Sequence, residues 1–396
     1  MTGVSTLGQA LDQIELLKKV QKQFGTLTSQ MTTGKISQNF AGLGSSAITS
    51  QRARASFNTY DVYLQNITNA ERRIELSMNS ITAFKKQAEN FAAALVAFGQ
   101  ESAHQDGEPV YYDDPLTTDV DEHVLIGYTS ADPDADLANL QRLATSVYDL
   151  CVDLVNEKDG DRYLFSGAET LSKPLTDSGT LDSMMNSMLS SWKGGTLDTA
   201  DFISGLQTRD ASSNANAVTD SIVGYSAALS TGMAGNVYVR ADANTEVNYT
   251  TLANDDALRN ILVAASYFKN TSLTPVADQV DPDTYAVITP GAPGANVAES
   301  RENFDSIFQA LTVMVNDAID NIDEMRFSLA DAQGRLGELK ERHIDSKNVL
   351  LTTISDAENI DTTEVAIKLQ TLQIQIEASY QVTATLMSTS LVNFLN

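Results

Sequence analysis

The sequence is poor in cysteine, histidine and basic residues. Its single cysteine, Cys151, cannot form an intramolecular disulfide, and its place in an apolar helical pattern predicts a buried side chain rather than a nucleophile. Lys and Arg number 26 against 52 Asp and Glu, which gives a formal net charge of −26. Because nucleic acids and anionic membranes bind clustered positive charge, this balance argues against both as partners.

Recognisable catalytic and metal-binding patterns are also missing. Asp132 begins a pattern like that of a calcium loop, but Leu137 replaces the glycine that such a loop needs. No glycine-rich phosphate loop or Ser-His-Asp set stands out. No two histidines have the spacing of zinc ligands; they are His104, His123 and His343. We therefore predict no metal site, no cofactor and no enzymatic activity.

Long apolar runs are absent as well. No stretch of about 18 apolar residues is present, so we predict no membrane-spanning helix. The first residues, MTGVSTLGQALDQ, lack the basic and apolar regions of a cleavable signal peptide. From these features alone, the protein is either cytoplasmic or exported by a route that reads no cleavable signal.

What the sequence does contain is long helical periodicity, most clearly near its end. Small or apolar residues alternate in steps of four and three, which is a heptad seam: Val365, Leu369, Leu372, Ile376, Ser379, Thr383, Leu386 and Ser390. A second apolar set widens this face beyond what one partner helix covers: Ile367, Ile374, Val382, Leu391 and Phe394. Apolar stripes of this size are usually interaction surfaces.

An amphipathic helix is predicted over residues 5–31. Its apolar positions are spaced mainly by threes and fours: Leu7, Leu11, Ile14, Leu17, Phe24, Leu27 and Met31. The helix is expected to end at Thr33-Gly34, where glycine can adopt the left-handed cap conformation.

Two further heptad seams are predicted, over residues 57–95 and 304–353. The first includes Phe57, Leu64, Ile67, Ile74, Met78 and Ile81, and the second includes Leu311, Val315, Ile322, Leu329 and Leu336. A seven-residue period held this long implies a left-handed supercoil with partner helices. The partners are either helices of the same chain or helices of neighbouring copies, and the periodicity leaves both open.

The middle of the chain has a different composition. An insertion at 101–136, rich in Gly, Pro and Asp, predicts a loop or small hairpin, and a helix follows at 137–154. Residues 161–255 predict a mixed α/β domain with a strand at Tyr163–Phe165 and a hairpin turning at Ala243-Asn244. Short helices are expected at 181–191 and 199–206, and an irregular segment at 271–298.

These patterns predict a mainly α fold, in which the two chain ends form a long antiparallel, coiled-coil-like bundle and the middle forms a smaller mixed α/β outer domain. Asp361 is a predicted N-cap, with Glu364 completing a capping box ahead of the last helix. The expected segments are a terminal assembly helix and loop, two halves of a helical rod around an outer domain, and a second assembly helix: 1–45, 46–160, 161–255, 256–358 and 359–396.

Several segments resemble the flagellin family, and within it the hook-filament junction branch. The N-terminal match is LTSQMTTGKIS (27–37), and the C-terminal match is DAQGRLGELKERH (331–343) followed by the segment 354–395. DGDRYLFSGAET (159–170), which includes Tyr163, Leu164, Phe165 and Gly167, is similar to a segment typical of the junction branch. The chain departs from the family pattern at AGLGSSA (41–47) and in the insertion at 101–136.

The resemblance implies a structural subunit of the bacterial flagellum that assembles outside the cell through its terminal helices, most closely as the adapter between hook and filament. The resemblance also implies that the protein binds further copies of itself and the hook, junction and filament proteins, and that an export chaperone binds its C-terminal helix. It further implies export without a cleavable signal. Two alternatives stay open at this point: filament flagellin, and a secreted coiled-coil effector or translocator of a related export system, which would bind membranes or host proteins.

Overall fold

The computed structural model describes residues 3–102, 109–113, 123–128, 133–271 and 297–395, and most of them are helical. Two helices, of 57 and 62 residues, are much longer than the rest. The helices are α1 (Gly3–Thr33), α2 (Ser46–Ser102), α3 (Pro133–Val155), α4 (Gly179–Lys193), α5 (Thr199–Gln207), α6 (Asp220–Val223), α7 (Ala227–Ser230), α8 (Asp256–Asn270), α9 (Val297–Glu358) and α10 (Thr362–Leu395).

The strands in the described residues form three antiparallel hairpins. They are β1 (Pro109–Asp113) with β2 (His123–Tyr128), β3 (Lys158–Asp159) with β4 (Arg162–Tyr163), and β5 (Tyr238–Arg240) with β6 (Glu246–Asn248). The first lies in the 101–136 insertion, and the turn predicted at Ala243-Asn244 is confirmed. The mainly α fold class, with its smaller mixed middle region, is therefore confirmed.

One predicted strand is too long. The strand expected at Tyr163–Phe165 ends at Tyr163, because the chain turns inward there and the next two side chains enter the core. Phe165 instead receives a single backbone hydrogen bond on its carbonyl oxygen, donated by the amide of Ala253 at 2.9 Å. The amide of Leu164 still donates to the Glu157 carbonyl at 2.9 Å, so one backbone bond of the hairpin continues past Tyr163 before the chain enters the core.

The chain divides into two compact units. Residues 1–65 and 339–396 form the first, which we call the terminal unit, and residues 66–338 form the second, the middle unit. In the terminal unit α2 and α9 run antiparallel. His343 packs between Tyr60 and Tyr63, with ring centroids 5.0 and 5.6 Å away, and Lys347 Nζ lies 4.4 Å from the centroid of the Phe57 ring.

In the middle unit the same two helices also run antiparallel. Phe98 packs on Phe308 with ring centroids 5.6 Å apart, and Lys85 Nζ lies 2.6 Å from Asp323 Oδ2. Most of the predicted heptad positions are fully buried here: Ile67, Ile74, Ile81, Leu311, Val315, Ile322, Leu329 and Leu336. Met78 is half-buried, as are Phe57 and Leu64, which belong to the terminal unit.

Helix α8 lies at the centre of the middle unit and is buried on nearly every side, packing against α3 and α4. It carries Arg259, whose guanidinium is fully buried and donates to the Val218 carbonyl at 2.6 Å. Burial lowers the pKa of this guanidinium. On α3, Cys151 is also fully buried, as predicted, and burial raises the pKa of its thiol.

The segment around Gly167 joins this core. Leu164 and Phe165 are buried, and Gly167 has φ +63°, a conformation that disfavours side chains. A Cβ at this glycine would lie 2.6 Å from the Gly235 carbonyl oxygen and 2.9 Å from that of Ala234. Both the dihedral angle and the space therefore require glycine.

We expect Gly167→Ala to destabilise the middle unit by about 3 kcal/mol or more, since backbone strain and a clash with carbonyls add together. The matched control is Gly160→Ala, where φ is +62° and nothing lies within 4 Å of the added Cβ. Strain alone should cost that variant about 1 kcal/mol. Urea unfolding followed by circular dichroism measures both, and equal losses would show that the close approach at Gly167 is unimportant.

Candidate assembly site

Helices α1 and α10 pair in the terminal unit, and we call them the terminal pair. At one end, the amide of Ile360 donates to the Gly34 carbonyl at 3.0 Å. Further along, Gln21 Nε2 donates to the Tyr380 hydroxyl at 2.8 Å. Because positions later in α10 meet positions earlier in α1, the two helices run antiparallel.

The face of α10 that bears the predicted heptad seam is the less exposed one. Val365 is buried, and the next five seam positions are half-buried: Leu369, Leu372, Ile376, Ser379 and Thr383. On α1, the less exposed face consists of half-buried Leu17, Val20, Phe24 and Leu27. Among the described side chains of α1, none is fully buried, since one partner helix covers only part of its surface.

A second apolar face on α10 remains exposed. Ile367, Ile374 and Val382 are 60%, 61% and 47% exposed; the first two lie on the side of α10 opposite the heptad seam, and Val382 lies beside the seam. We call these three residues the outer stripe. The only charged residues in this 34-residue helix are Glu364, Lys368 and Glu377. A helix with apolar residues all around is normally buried on all sides, so α10 requires more cover than α1 provides.

Exposed apolar side chains are also present on α1. Leu11, Ile14, Leu16 and Met31 are all exposed, and the first, second and fourth are among the apolar positions predicted for the N-terminal assembly helix. Most of the large apolar side chains that are exposed in the described part of the chain belong to the terminal unit. The side chains of four further predicted positions lie outside the described ones: Leu7, Leu386, Leu391 and Phe394.

Charge is divided unequally between the two units. The terminal unit contains ten Lys and Arg and ten Asp and Glu, so its formal net charge is zero. The middle unit therefore carries the whole net charge of −26. Copies of the terminal unit can approach one another without net electrostatic repulsion, whereas copies of the middle unit repel.

The turns that connect the terminal pair to α2 and α9 are bound to each other. The amide of Ile36 donates to the Glu358 carbonyl at 2.7 Å, beside the bond from Ile360 to Gly34. Lys35 and Asn359 form the corresponding antiparallel β-bridge. We call this contact the clasp, because it holds the turn after α1 against the turn before α10.

The carboxylate of Glu358 is the centre of the clasp. It accepts two hydrogen bonds of 2.7 Å from Arg54, one of 2.5 Å from the Ser50 hydroxyl and one of 3.4 Å from Lys35. Glu358 is buried, and Arg54, Ser50 and Lys35 lower the pKa of its carboxyl to about 2. A bidentate pair with Arg fixes both the distance and the orientation of α2 relative to the end of α9.

Sequence patterns did not reveal the clasp. Arg54 and Glu358 are separated by 304 residues, and neither lies at an apolar heptad position. By contrast, the predicted N-cap is confirmed: Asp361 Oδ1 accepts from the amides of Thr363 and Glu364 at 2.8 and 3.2 Å. Glu364 does not complete the capping box, because its carboxylate pairs with Lys368 at 2.6 Å.

The clasp predicts a pH dependence of stability. Since folding lowers the pKa of the Glu358 carboxyl from its ordinary value of 4.5 to about 2, the carboxylate stabilises the folded state above about pH 4.5. This contribution should be lost as the pH falls from about 4.5 towards 2. Glu358→Gln should cost about 1 to 3 kcal/mol at pH 7 and little at pH 2, as measured by denaturant unfolding at each pH.

Glu377→Gln is the control for this measurement, because Glu377 is exposed on α10 and forms no ion pair with another described residue. It should leave unfolding nearly unchanged at both pH values. If the Glu358→Gln variant lost as much stability between pH 7 and pH 2 as the unaltered protein does, the clasp would not be the source of that pH dependence.

The other predicted positions are not part of the terminal pair. Tyr163, Leu164, Phe165 and Gly167 belong to the middle unit, where they contribute to its packing. No cluster of three or more potential metal ligands occurs among the described residues. In the same part of the chain, no helix is long and apolar enough to cross a membrane.

A comparison with known protein families identified a match that includes α10 and part of α9. Residues 312–395 match the family model described as the bacterial flagellin C-terminal helical region. We call residues 312–395 the flagellin-type region. It covers the second part of α9 and all of α10, and so includes Glu358 of the clasp, the heptad seam and the outer stripe.

The flagellin-type region accounts for about a fifth of the chain. A structural search matched a chain described as a candidate flagellar hook-associated protein from Vibrio parahaemolyticus, at 13% identity and a TM-score of 0.41, covering 81% of this chain and 99% of that one. A TM-score of this size does not establish a shared fold. Among curated proteins, no sequence matches the chain.

Proposed function

We propose that this protein is a structural subunit of the bacterial flagellum that assembles outside the cell through its terminal pair. The observation that carries the proposal is the exposed outer stripe of α10, which lies within the flagellin-type region and outside the seam that faces α1. A helix of this composition gains stability when neighbouring copies cover its second face.

The energetics of the two units favour such assembly. Each fully buried Leu or Ile contributes about 1.5 to 3 kcal/mol before the cost of ordering, so the outer stripe and the exposed side chains of α1 provide a substantial driving force. The terminal unit carries no net charge that would oppose it. A head-to-tail contact repeated between copies then gives a ring or an open helix, according to whether the rotation closes.

Within this proposal, the favoured role is the adapter that joins hook to filament. The Tyr163–Gly167 segment, which is similar to the junction branch, supports it, and filament flagellin is the alternative. The partners are then further copies of the chain and the hook, junction and filament proteins. Before assembly, an export chaperone covering the outer stripe would keep α10 from associating prematurely.

The outer stripe provides the first test. We expect Ile367→Ser, Ile374→Ser and Val382→Ser, combined in one chain, to raise the critical concentration for assembly by a factor of about 100 or more, because three apolar contacts are lost at about 1 kcal/mol or more each. Sedimentation of the assembled fraction measures this. The control variant carries Leu171→Ser and Met233→Ser, which change two exposed apolar residues of the middle unit. If the outer-stripe variant had the same critical concentration as this control, the proposal would be contradicted.

Electron microscopy separates the adapter from its alternatives. Negatively stained protein, with and without isolated hooks, is compared with a chain that ends at Ile360 and so lacks α10. As an adapter, the full chain forms a short layer on hooks, and the shortened chain forms none. Long filaments grown without hooks would favour filament flagellin, and indifference to hooks with binding to lipid vesicles would favour a secreted effector or translocator.

A further inference from the structure

The outward face of α9 in the middle unit is both acidic and apolar. On the side opposite the buried residues, six positions spaced alternately by four and three residues are all exposed. We call them the α9 face: Val313, Asp317, Asp320, Glu324, Phe327 and Asp331. Phe327 is 78% exposed and Val313 is 58% exposed. None of the four carboxylates forms an ion pair with another described residue, so this face combines unpaired negative charge with a solvent-exposed aromatic ring.

The outward face of α1 has the opposite charge. Lys18, Lys19 and Lys22 are the densest group of cations in the chain, and all three are exposed. Lys18 and Lys22 share one side of α1 with exposed Leu11 and Ile14, opposite the half-buried positions of that helix. We call Leu11, Ile14, Lys18 and Lys22 the α1 face. Its lysines form no ion pair with another described residue.

The spacing of the two faces is complementary. Leu11 lies seven residues before Lys18, while Val313 and Phe327 each lie seven residues from Asp320, one on either side. An apolar contact and a charge contact can therefore form together whichever way the two helices run. Gly25, seven residues after Lys18, has open space around the position of a Cβ and so leaves room for a large side chain such as Phe327.

We propose that the α1 face of one copy docks on the α9 face of a second copy. This inference rests on the proposed assembly function and adds a contact distinct from the outer stripe. Each copy presents one face of each kind, and two faces of the same kind repel, so the contact joins unlike faces and repeats from copy to copy wherever two copies do not close it reciprocally. Exposed charge pairs contribute modestly to affinity but determine orientation and partner choice, which an apolar stripe alone does not.

Charge reversal in two separate chains tests the contact. One variant carries Lys18→Glu and Lys22→Glu, and the other carries Asp320→Lys and Glu324→Lys. Each alone should raise the critical concentration for assembly about tenfold or more, because attraction becomes repulsion at the contact. The second variant reduces the net negative charge of the chain, so its loss of assembly cannot be caused by greater overall repulsion.

An equimolar mixture of the two variants decides between contacts within and between chains. If the faces meet between copies, the mixture restores favourable pairs and should assemble within about threefold of the unaltered protein's critical concentration. Rescue only when all four substitutions are in one chain would place the contact within a chain and overturn the proposal. Unchanged assembly of either variant would overturn it as well.

Two controls complete the design. Lys86→Glu with Lys173→Glu makes the same charge change as the α1 variant at exposed sites of the middle unit, and should leave assembly unchanged. Circular dichroism of each variant before assembly verifies its helical content. If the unaltered chain assembles and the variants match it, only this contact is wrong, whereas failure of the unaltered chain to assemble both alone and on isolated hooks would refute the proposed function itself.

Discussion

The antiparallel packing of α2 and α9 is the constraint on which the rest of the molecule depends. In the middle unit it buries most of the apolar seam positions of both helices, and in the terminal unit it brings His343 between two tyrosines. Because residues far apart in sequence are held together in this way, the turns beyond them can meet. The clasp between Glu358 and Arg54 is therefore possible only where α2 and α9 have already been aligned.

The long helices were predictable because their stability depends on patterns that repeat along the sequence. The seams that contain Ile67, Ile74 and Leu336 identify the buried faces directly, and the position of Asp361 identifies the start of α10. The length of the strand at Tyr163 was overestimated, since Leu164 and Phe165 are both buried and the alternation of buried and exposed side chains ends there. The clasp escaped prediction for a different reason: an ion pair between residues 304 positions apart leaves no periodic signal.

The assembly faces could be predicted from the sequence only in part. The sequence predicted two apolar sets on α10, and the structure shows which one faces α1 and which one is exposed. The electroneutrality of the terminal unit became visible only when the two ends of the chain were counted together, because residues 1–65 are net basic and residues 339–396 are net acidic. Neither of these two segments alone shows that their charges cancel, because each has only a small net charge compared with the −26 of the whole chain.

The clasp also determines the order in which the ends of the chain can become structured. Arg54 and Ser50 emerge early from a ribosome or from any channel that passes the N-terminus first, while Glu358 emerges about 300 residues later. Closing a loop of this length is slow compared with forming a local helix, although its entropy cost grows only logarithmically. The N-terminal helix thus spends most of the chain's passage without its C-terminal partner, and the terminal pair is the last part of the protein to become complete.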